Sequence, residues 1–167
     1  MALSVETSRA LSLRDIVAVL CQLSPSGYKF SNARLTKMVY LADWKSALDR
    51  EHQITHLDWI FNHYGPWVPD VVDAIRDDRN FKIEKKRNVY GGPKEQIRLI
   101  RPISLPNMPA STQAILQHVV NQTVDLNWSE FIRLVYSTYP VLSQPRYVDL
   151  DLPSLAKEYR QEMAESR

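Results

Sequence analysis

Residues 59–72 read Trp59-Ile60-Phe61-Asn62-His63-Tyr64-Gly65-Pro66-Trp67-Val68-Pro69-Asp70-Val71-Val72. From Thr55 to His63, Leu57, Trp59, Phe61 and His63 alternate with His56, Asp58, Ile60 and Asn62. Such alternation, rich in aromatics, predicts a strand with one buried face. Tyr64-Gly65-Pro66-Trp67 ends it. Glycine relaxes the backbone and proline fixes φ, so a tight strand-to-helix corner is expected at Gly65-Pro66. Pro69 suits the first turn of the next helix, where its missing N–H is an orphan donor anyway. Asp70 and Asp73 suit that positive helix end. Val68, Val72 and Ile75 form its apolar stripe, and it is expected to end near Asp78-Arg79-Asn80.

Upstream, Arg14 to Leu23 reads as a short helix with Ile16, Val17, Val19 and Leu20 on a broad apolar face. Ser24-Pro25-Ser26-Gly27 is a loop. Ser31 or Asn32 caps a second helix, Ala33 to Asp49. Its Leu35, Met38, Val39, Leu41, Ala42, Trp44 and Leu48 make a wide stripe, which predicts a central, largely buried helix. Residues 1–12 lack periodicity and read as an arm. Downstream, Phe81 to Tyr90 and Gln96 to Arg101 alternate around Gly91-Gly92-Pro93, a hairpin pattern. Residues 102–106 connect it to a helix at Pro109 to Gln122. Asn127 caps another, Trp128 to Thr138. Residues 140–152 read as extended because Pro140 and Pro145 disfavour helix. From Pro153 to Ala164 a last helix aligns Leu155, Tyr159 and Met163. The class is α+β: a mainly helical single domain with a small antiparallel sheet that includes a basic hairpin.

Composition narrows function by exclusion. The chain has 167 residues, with 21 Lys+Arg, 19 Asp+Glu, four Gly and one Cys. A chain of this length buries roughly 70% of its unfolded surface and needs no metal or disulfide to fold. One cysteine excludes an internal disulfide framework and points to a reducing, cytoplasmic setting. No apolar run is long enough for a membrane span, and no signal-peptide pattern stands at the start. There is no phosphate loop, dinucleotide glycine pattern or nucleophile elbow. Cys21 lies in an apolar helix stripe and reads as a small buried hydrophobe. His52 and His56 have i, i+4 spacing, but the strand separates them and no third ligand stands near, so neither metal nor cofactor is expected. His63 reads as a packed, hydrogen-bonded histidine at a strand end. Asp70, Asp73 and Asp77 fall on one face of the third helix and read as a solvated acidic face, with a cation site or a surface for a basic partner as the alternative.

The net charge of +2 hides an uneven distribution. Lys82, Lys85, Lys86, Arg87, Lys94, Arg98 and Arg101 stand against Glu84 and Glu95, a balance of +5 that leaves −3 elsewhere. Helices followed by a basic hairpin have a winged-helix-like order, in which the wing touches phosphates. The acidic third helix argues against groove binding by that helix.

Two stretches carry a family resemblance. The first is Arg34-Leu35-Thr36-Lys37-Met38-Val39-Tyr40-Leu41-Ala42-Asp43-Trp44, and the second is the 59–72 segment. A helix of the form L-x-K-hydrophobic-hydrophobic-Y-L-A, then a strand ending in aromatic-Gly-Pro, then a helix opening V-x-x-hydrophobic, resembles the Panacea domain. That family is also called the SocA-like antitoxin or GepA-like phage-associated family. The residues that carry the resemblance are Leu35, Lys37, Tyr40, Trp59, Phe61, Gly65 and Pro66, and they form a fold signature rather than a catalytic set. The resemblance covers about residues 13–140. It leaves 141–167 as a C-terminal extension with a short helix, either a partner-specific attachment or a segment packed on the domain.

The resemblance implies a non-enzymatic antitoxin that binds a cognate toxin directly, in a bacterial or phage toxin–antitoxin or defence module. A relative serves as an adaptor that delivers a toxin to a protease, so a protease is the alternative partner. A nucleic-acid-binding regulator using hairpin 82–101 is the remaining alternative, with weak nucleic-acid contact through Lys85, Lys86 and Arg87. Aromatic anchors rimmed by charge mark protein interfaces. The candidate partner-binding residues are therefore Tyr64, Trp67, Tyr90, Lys85, Lys86, Arg87, Tyr147 and Tyr159. No membrane contact is expected.

Overall fold

Ser31 starts the helix around which the domain is built. Its hydroxyl accepts from the Arg34 amide, and α-helix Asn32–Arg50 follows. Almost every residue from Arg34 to Trp44 is buried, as the wide apolar stripe predicts. The computed structural model describes residues 11–104 and 107–167, so most of the expected arm and residues 105–106 of the hairpin-to-helix connection lie outside the described residues. In chain order the described elements are α1 (Leu13–Leu23), β1 (Phe30–Ser31), α2 (Asn32–Arg50), β2 (Ile60–Asn62), β3 (Gly65–Trp67), α3 (Asp70–Asp73), β4 (Phe81–Arg87), β5 (Pro93–Leu99), α4 (Ala110–Thr123), α5 (Trp128–Tyr136), α6 (Tyr139–Ser143) and α7 (Leu152–Glu165). The mixed, mainly helical class with small antiparallel sheets stands.

Helices α1, α4 and α7 pack around α2, and one apolar core runs through all of them. Two side chains of α2 carry polar duties inside that core. Arg34 reaches the last turn of α4: its guanidinium donates to the carbonyls of Thr123 (3.2 Å) and Leu126 (2.6 Å) and lies 4.6 Å from the Phe131 ring centre. A cation at a helix C-terminus meets unsatisfied carbonyls and the negative end of the dipole. Asp43 organises residues 53–59. It accepts from the Thr55 amide (3.0 Å), the Thr55 hydroxyl and the Trp59 indole (2.9 Å). Burial pushes its carboxyl pKa up, opposed by the Thr55 and Trp59 hydrogen bonds.

The sheets differ from the expected pattern in four respects. First, the strand expected over 55–63 is only Ile60–Asn62. Trp59 and Phe61 are buried as the alternation requires. Before them the chain is held by Asp43 and not by a ladder. Second, Gly65-Pro66 is not a strand-to-helix corner. It is the return strand of a tight hairpin, paired with β2 in the register Phe61↔Pro66 and Asn62↔Gly65. The turn falls at His63-Tyr64, where the Asn62 side chain accepts from the His63 amide. His63 consequently lies exposed beyond the strand end, not packed beneath it.

Third, the helix after Pro69 is a single turn, so Asp70, Asp73 and Asp77 share no helix face. The chain tightens through the Ile75 amide to the Val72 carbonyl, then turns at Asp78, whose side chain accepts from the Asn80 amide. That one turn is also the helix immediately before the basic hairpin, too short to fill a groove as a recognition helix does. Fourth, β1 joins the basic hairpin, giving the order β1-β5-β4. Phe30-Ser31 is too short for any periodicity to be read. In the hairpin register, Phe81, Ile83, Ile97 and Leu99 share the body-facing side with Lys85 and Glu95, while Lys82, Lys86, Lys94 and Arg98 share the other with Glu84.

The tail departs from expectation as well. Pro140 sits in the first turn of α6 instead of preventing helix, because a proline there sacrifices no hydrogen bond. Residues 147–150 then run beside β2: the Phe61 amide donates to Val148 (3.0 Å) and the Leu150 amide to Trp59 (2.8 Å). Helix α7 buries Leu152, Leu155 and Ala156. Arg160 donates to the Ala47 and Leu48 carbonyls at the end of α2, again a cation at a helix C-terminus.

Candidate partner-binding site

Two hairpins and the start of α2 leave a cavity of about 680 Å³ between them. Its walls are Ser31, Asn32 and Ala33 from the first turn of α2, Asn62 to Gly65 and Trp67 from the β2–β3 hairpin, and Lys85, Pro93, Lys94 and Glu95 from β4 and β5. Arg76 and Lys37 complete it.

Lys37 is the most buried side chain of this lining, only 2% exposed. It sits one turn into α2, between Thr36 and Met38 in the buried stripe. Its Nζ donates to the Pro66 carbonyl at 3.3 Å and stands 5.5 Å from the Trp67 ring centre. Among the described residues no carboxylate lies within ion-pair distance of it. An ammonium has three donors, and one carbonyl does not satisfy them. Burial alone lowers its pKa to about 8.

That shift has a sign. In the unfolded chain the lysine holds its proton to higher pH than in the folded one. Between about pH 8 and 10.5 the unfolded state therefore binds more protons, and stability attributable to Lys37 rises with pH. Lys37→Met removes the cost of burying the charge. The variant is expected to be more stable than the parent at pH 7 by up to roughly 3 kcal/mol, the equivalent of the shift at 1.36 kcal/mol per pKa unit. The advantage should shrink towards pH 10.5. Denaturant melts of both proteins across pH 7–10.5 check it, and the difference between them cancels the other groups that titrate there.

Gly65 is required by the same site. Its φ is +102°, and a Cβ there would lie 3.2 Å from Tyr136 Cε2 and 3.5 Å from Lys37 Cε. Gly65→Val adds a strained backbone to a crowded contact and is expected to cost about 2–4 kcal/mol. A lowered melting temperature is the expected readout.

The cavity's charge is lopsided. Lys37, Arg76 and Lys85 face one carboxylate, Glu95, and that carboxylate is occupied. Arg76 Nη1 is 2.6 Å from one of its oxygens and Asn32 donates to the other at 3.1 Å. Arg76 holds the Glu95 carboxyl below its ordinary pKa. Among the described residues Lys85 and Lys94 make no ion pair.

The mouth is aromatic. The Tyr64 ring, 77% exposed, meets His63 edge-on at 4.6 Å between centres. His63 Nδ1 is 3.2 Å from the hydroxyl of Tyr147, which is exposed and has a positive φ of 70°. Arg146 donates to the His63 carbonyl and stacks over Phe61.

Of the candidate residues, Tyr64, Trp67 and Lys85 meet at this cavity and Tyr147 borders it. Tyr90 does not: with Val89 it stands almost fully exposed at the tip of the β4–β5 hairpin. Lys86 and Arg87 are exposed towards that tip. Tyr159 is half-buried between Trp44 and Tyr139, on the face of α2 that α7 covers. Cys21 is buried, with its thiol pushed up to about 12 by desolvation. His52 and His56 lie exposed beyond α2, and no three metal-ligating side chains converge among the described residues. No helix among them is long and apolar enough to cross a membrane.

The family described as "Antitoxin SocA-like, Panacea domain" matches residues 35–140, well over half of the chain. The chain belongs to the Panacea domain family. No curated protein and no solved structure matches it. The Panacea match begins at Leu35 in α2 and ends at Pro140 in α6, so it takes in Lys37, both hairpins and Arg76, and leaves α7 outside. Membership in an antitoxin-like family implies a protein partner such as a toxin.

Sequence reasoning missed Arg76, Lys94, Glu95 and the Ser31–Ala33 turn as parts of one site. No local pattern joins residues so far apart in the chain. One signal was readable: Lys37 interrupts the stripe of the most buried helix, where a lysine has no solvent to reach.

Proposed function

We propose that this Panacea-domain protein is a non-enzymatic antitoxin that neutralises a toxin by direct contact, using the cavity and its aromatic mouth as the docking surface. The observation that supports this most is the joining of Tyr64, His63 and Tyr147 into one exposed aromatic group beside an uncompensated basic cavity. Aromatic side chains rimmed by charge are the usual anchors of protein interfaces.

Co-expression with the product of the adjacent gene tests the reading. Wild-type protein is expected to rescue growth and to co-purify with that product. Tyr64→Ala and Tyr147→Ala together should abolish both while leaving the melting temperature within about 4 °C, because each exposed side chain changes stability by under about 0.5 kcal/mol. Full rescue by the double variant overturns the proposed surface. Rescue that disappears in a host lacking its cytoplasmic proteases points to delivery of the toxin to a protease instead.

One observation favours a second reading. Lys82, Lys86, Lys94 and Arg98 lie on the outer hairpin face, with Glu84 the single acid there, 3.1 Å from Lys82 and 3.6 Å from Lys86. Phosphate contacts through that face would make nucleic-acid binding fall steeply with salt. A Lys82/Lys86/Arg98→Ala variant that loses nucleic-acid retention at low salt but still neutralises the toxin separates the two surfaces.

A further inference from the structure

We infer that the cavity receives an acidic side chain of the partner protein, a Glu or Asp projecting from an apolar loop, with Lys37 as the buried cation that takes the carboxylate. The inference rests on the antitoxin reading above and specifies the chemistry of its contact.

Charge complementarity carries it. Lys37 is held in the interior with one carbonyl as its hydrogen-bond partner and no carboxylate within reach among the described residues. An ammonium so placed is costly unless something anionic pairs with it. Lys85 adds positive potential at the wall, and the first turn of the 19-residue helix α2 adds its positive dipole end. The cavity's own carboxylate, Glu95, is already engaged by Arg76 and Asn32 and lies away from ion-pair distance of Lys37.

A protein carboxylate fits better than a free phosphate. Here Arg76 is already paired, and Glu95 would face a doubly charged anion. A small anion would also leave Tyr64 and Tyr147 uncovered, whereas a loop that enters the cavity lays its flanks on both.

The test uses the full chain and three probes: an acidic hexapeptide of Glu and Phe, its Gln counterpart, and inorganic phosphate. Backbone amide shifts of Ser31 to Ala33, Gly65 and Lys85 are followed by NMR. The acidic peptide is expected to shift these amides and to bind at least tenfold more tightly than the Gln peptide. Lys37→Met should erase that preference. Lys85→Glu, an exposed change that spares folding, should weaken the acidic peptide about tenfold.

Equal binding of the two peptides overturns the inference. So do shifts confined to the outer hairpin face, or phosphate displacing the peptide at sub-millimolar concentration. The failures are distinguishable. If the toxin binds wild type and Lys37→Met equally, the carboxylate contact is wrong and the antitoxin reading stands. If the toxin ignores the wild-type chain while the peptides still discriminate, the antitoxin reading fails and the cavity chemistry stands.

Discussion

A chain ended at Pro140 is expected to show no cooperative unfolding transition. The missing residues include Val141, Leu150, Leu152 and Leu155, all buried in the core. Each fully buried aliphatic side chain contributes about 1.5–3 kcal/mol, so these four alone represent roughly 6–12 kcal/mol. That is comparable to the whole stability of an ordinary domain, about 5–15 kcal/mol. The loss is compounded on the retained side. Trp44 loses its contact with Tyr159, β2 loses the 147–150 segment beside it, and the last carbonyls of α2 lose Arg160. Urea melts followed by far-UV circular dichroism check it. A sharp transition at the parental midpoint would make 141–167 an appendage after all.

Asp43→Ala has the second-largest expected effect, a loss of about 3–5 kcal/mol. Breaking a buried polar network by removing one partner leaves the others desolvated and unpaired. Here the orphans are the Thr55 amide, the Thr55 hydroxyl and the Trp59 indole, all in or beside the core. Trp59 packs edge-on against Tyr40 at 5.5 Å, so a shifted indole disturbs α2 directly. For a domain of this size each kcal/mol moves the melting temperature by about 2–4 °C, which places the expected drop near 10 °C. Asp43→Asn keeps one acceptor oxygen and should fall between the two. A melting temperature unchanged in Asp43→Ala would show that residues 53–59 are held by packing alone.

The two variants mark where sequence reading succeeds and where it stops. The helix 32–50 was legible because its apolar positions repeat over more than three turns, and burial on nearly every side followed. The basic hairpin was legible from alternation around Gly91-Gly92. Asp43 was not, because a lone aspartate in a helix looks alike whether it faces water or caps a distant loop. The Gly65-Pro66 segment was misread for a related reason. Glycine and proline announce a break, but Phe61↔Pro66 pairing depends on a partner strand only three residues long. At the site, exposed aromatics could be nominated from their residue type. Their grouping could not, since Tyr64 and Tyr147 meet through His63 across more than eighty residues of chain. Tyr159 shares the amphipathic character of Tyr64, and packing against Trp44 separates them.

Under the proposed function, this Panacea domain engages its partner through the cavity between the two hairpins. Hydrogen–deuterium exchange on the complex with the toxin tests it most directly. New protection is expected in three segments, 31–37, 62–67 and 85–95, with α7 and the α4–α5 face unchanged. Protection confined to α7 or to α4 and α5, with those three segments exchanging as in the free protein, would contradict it.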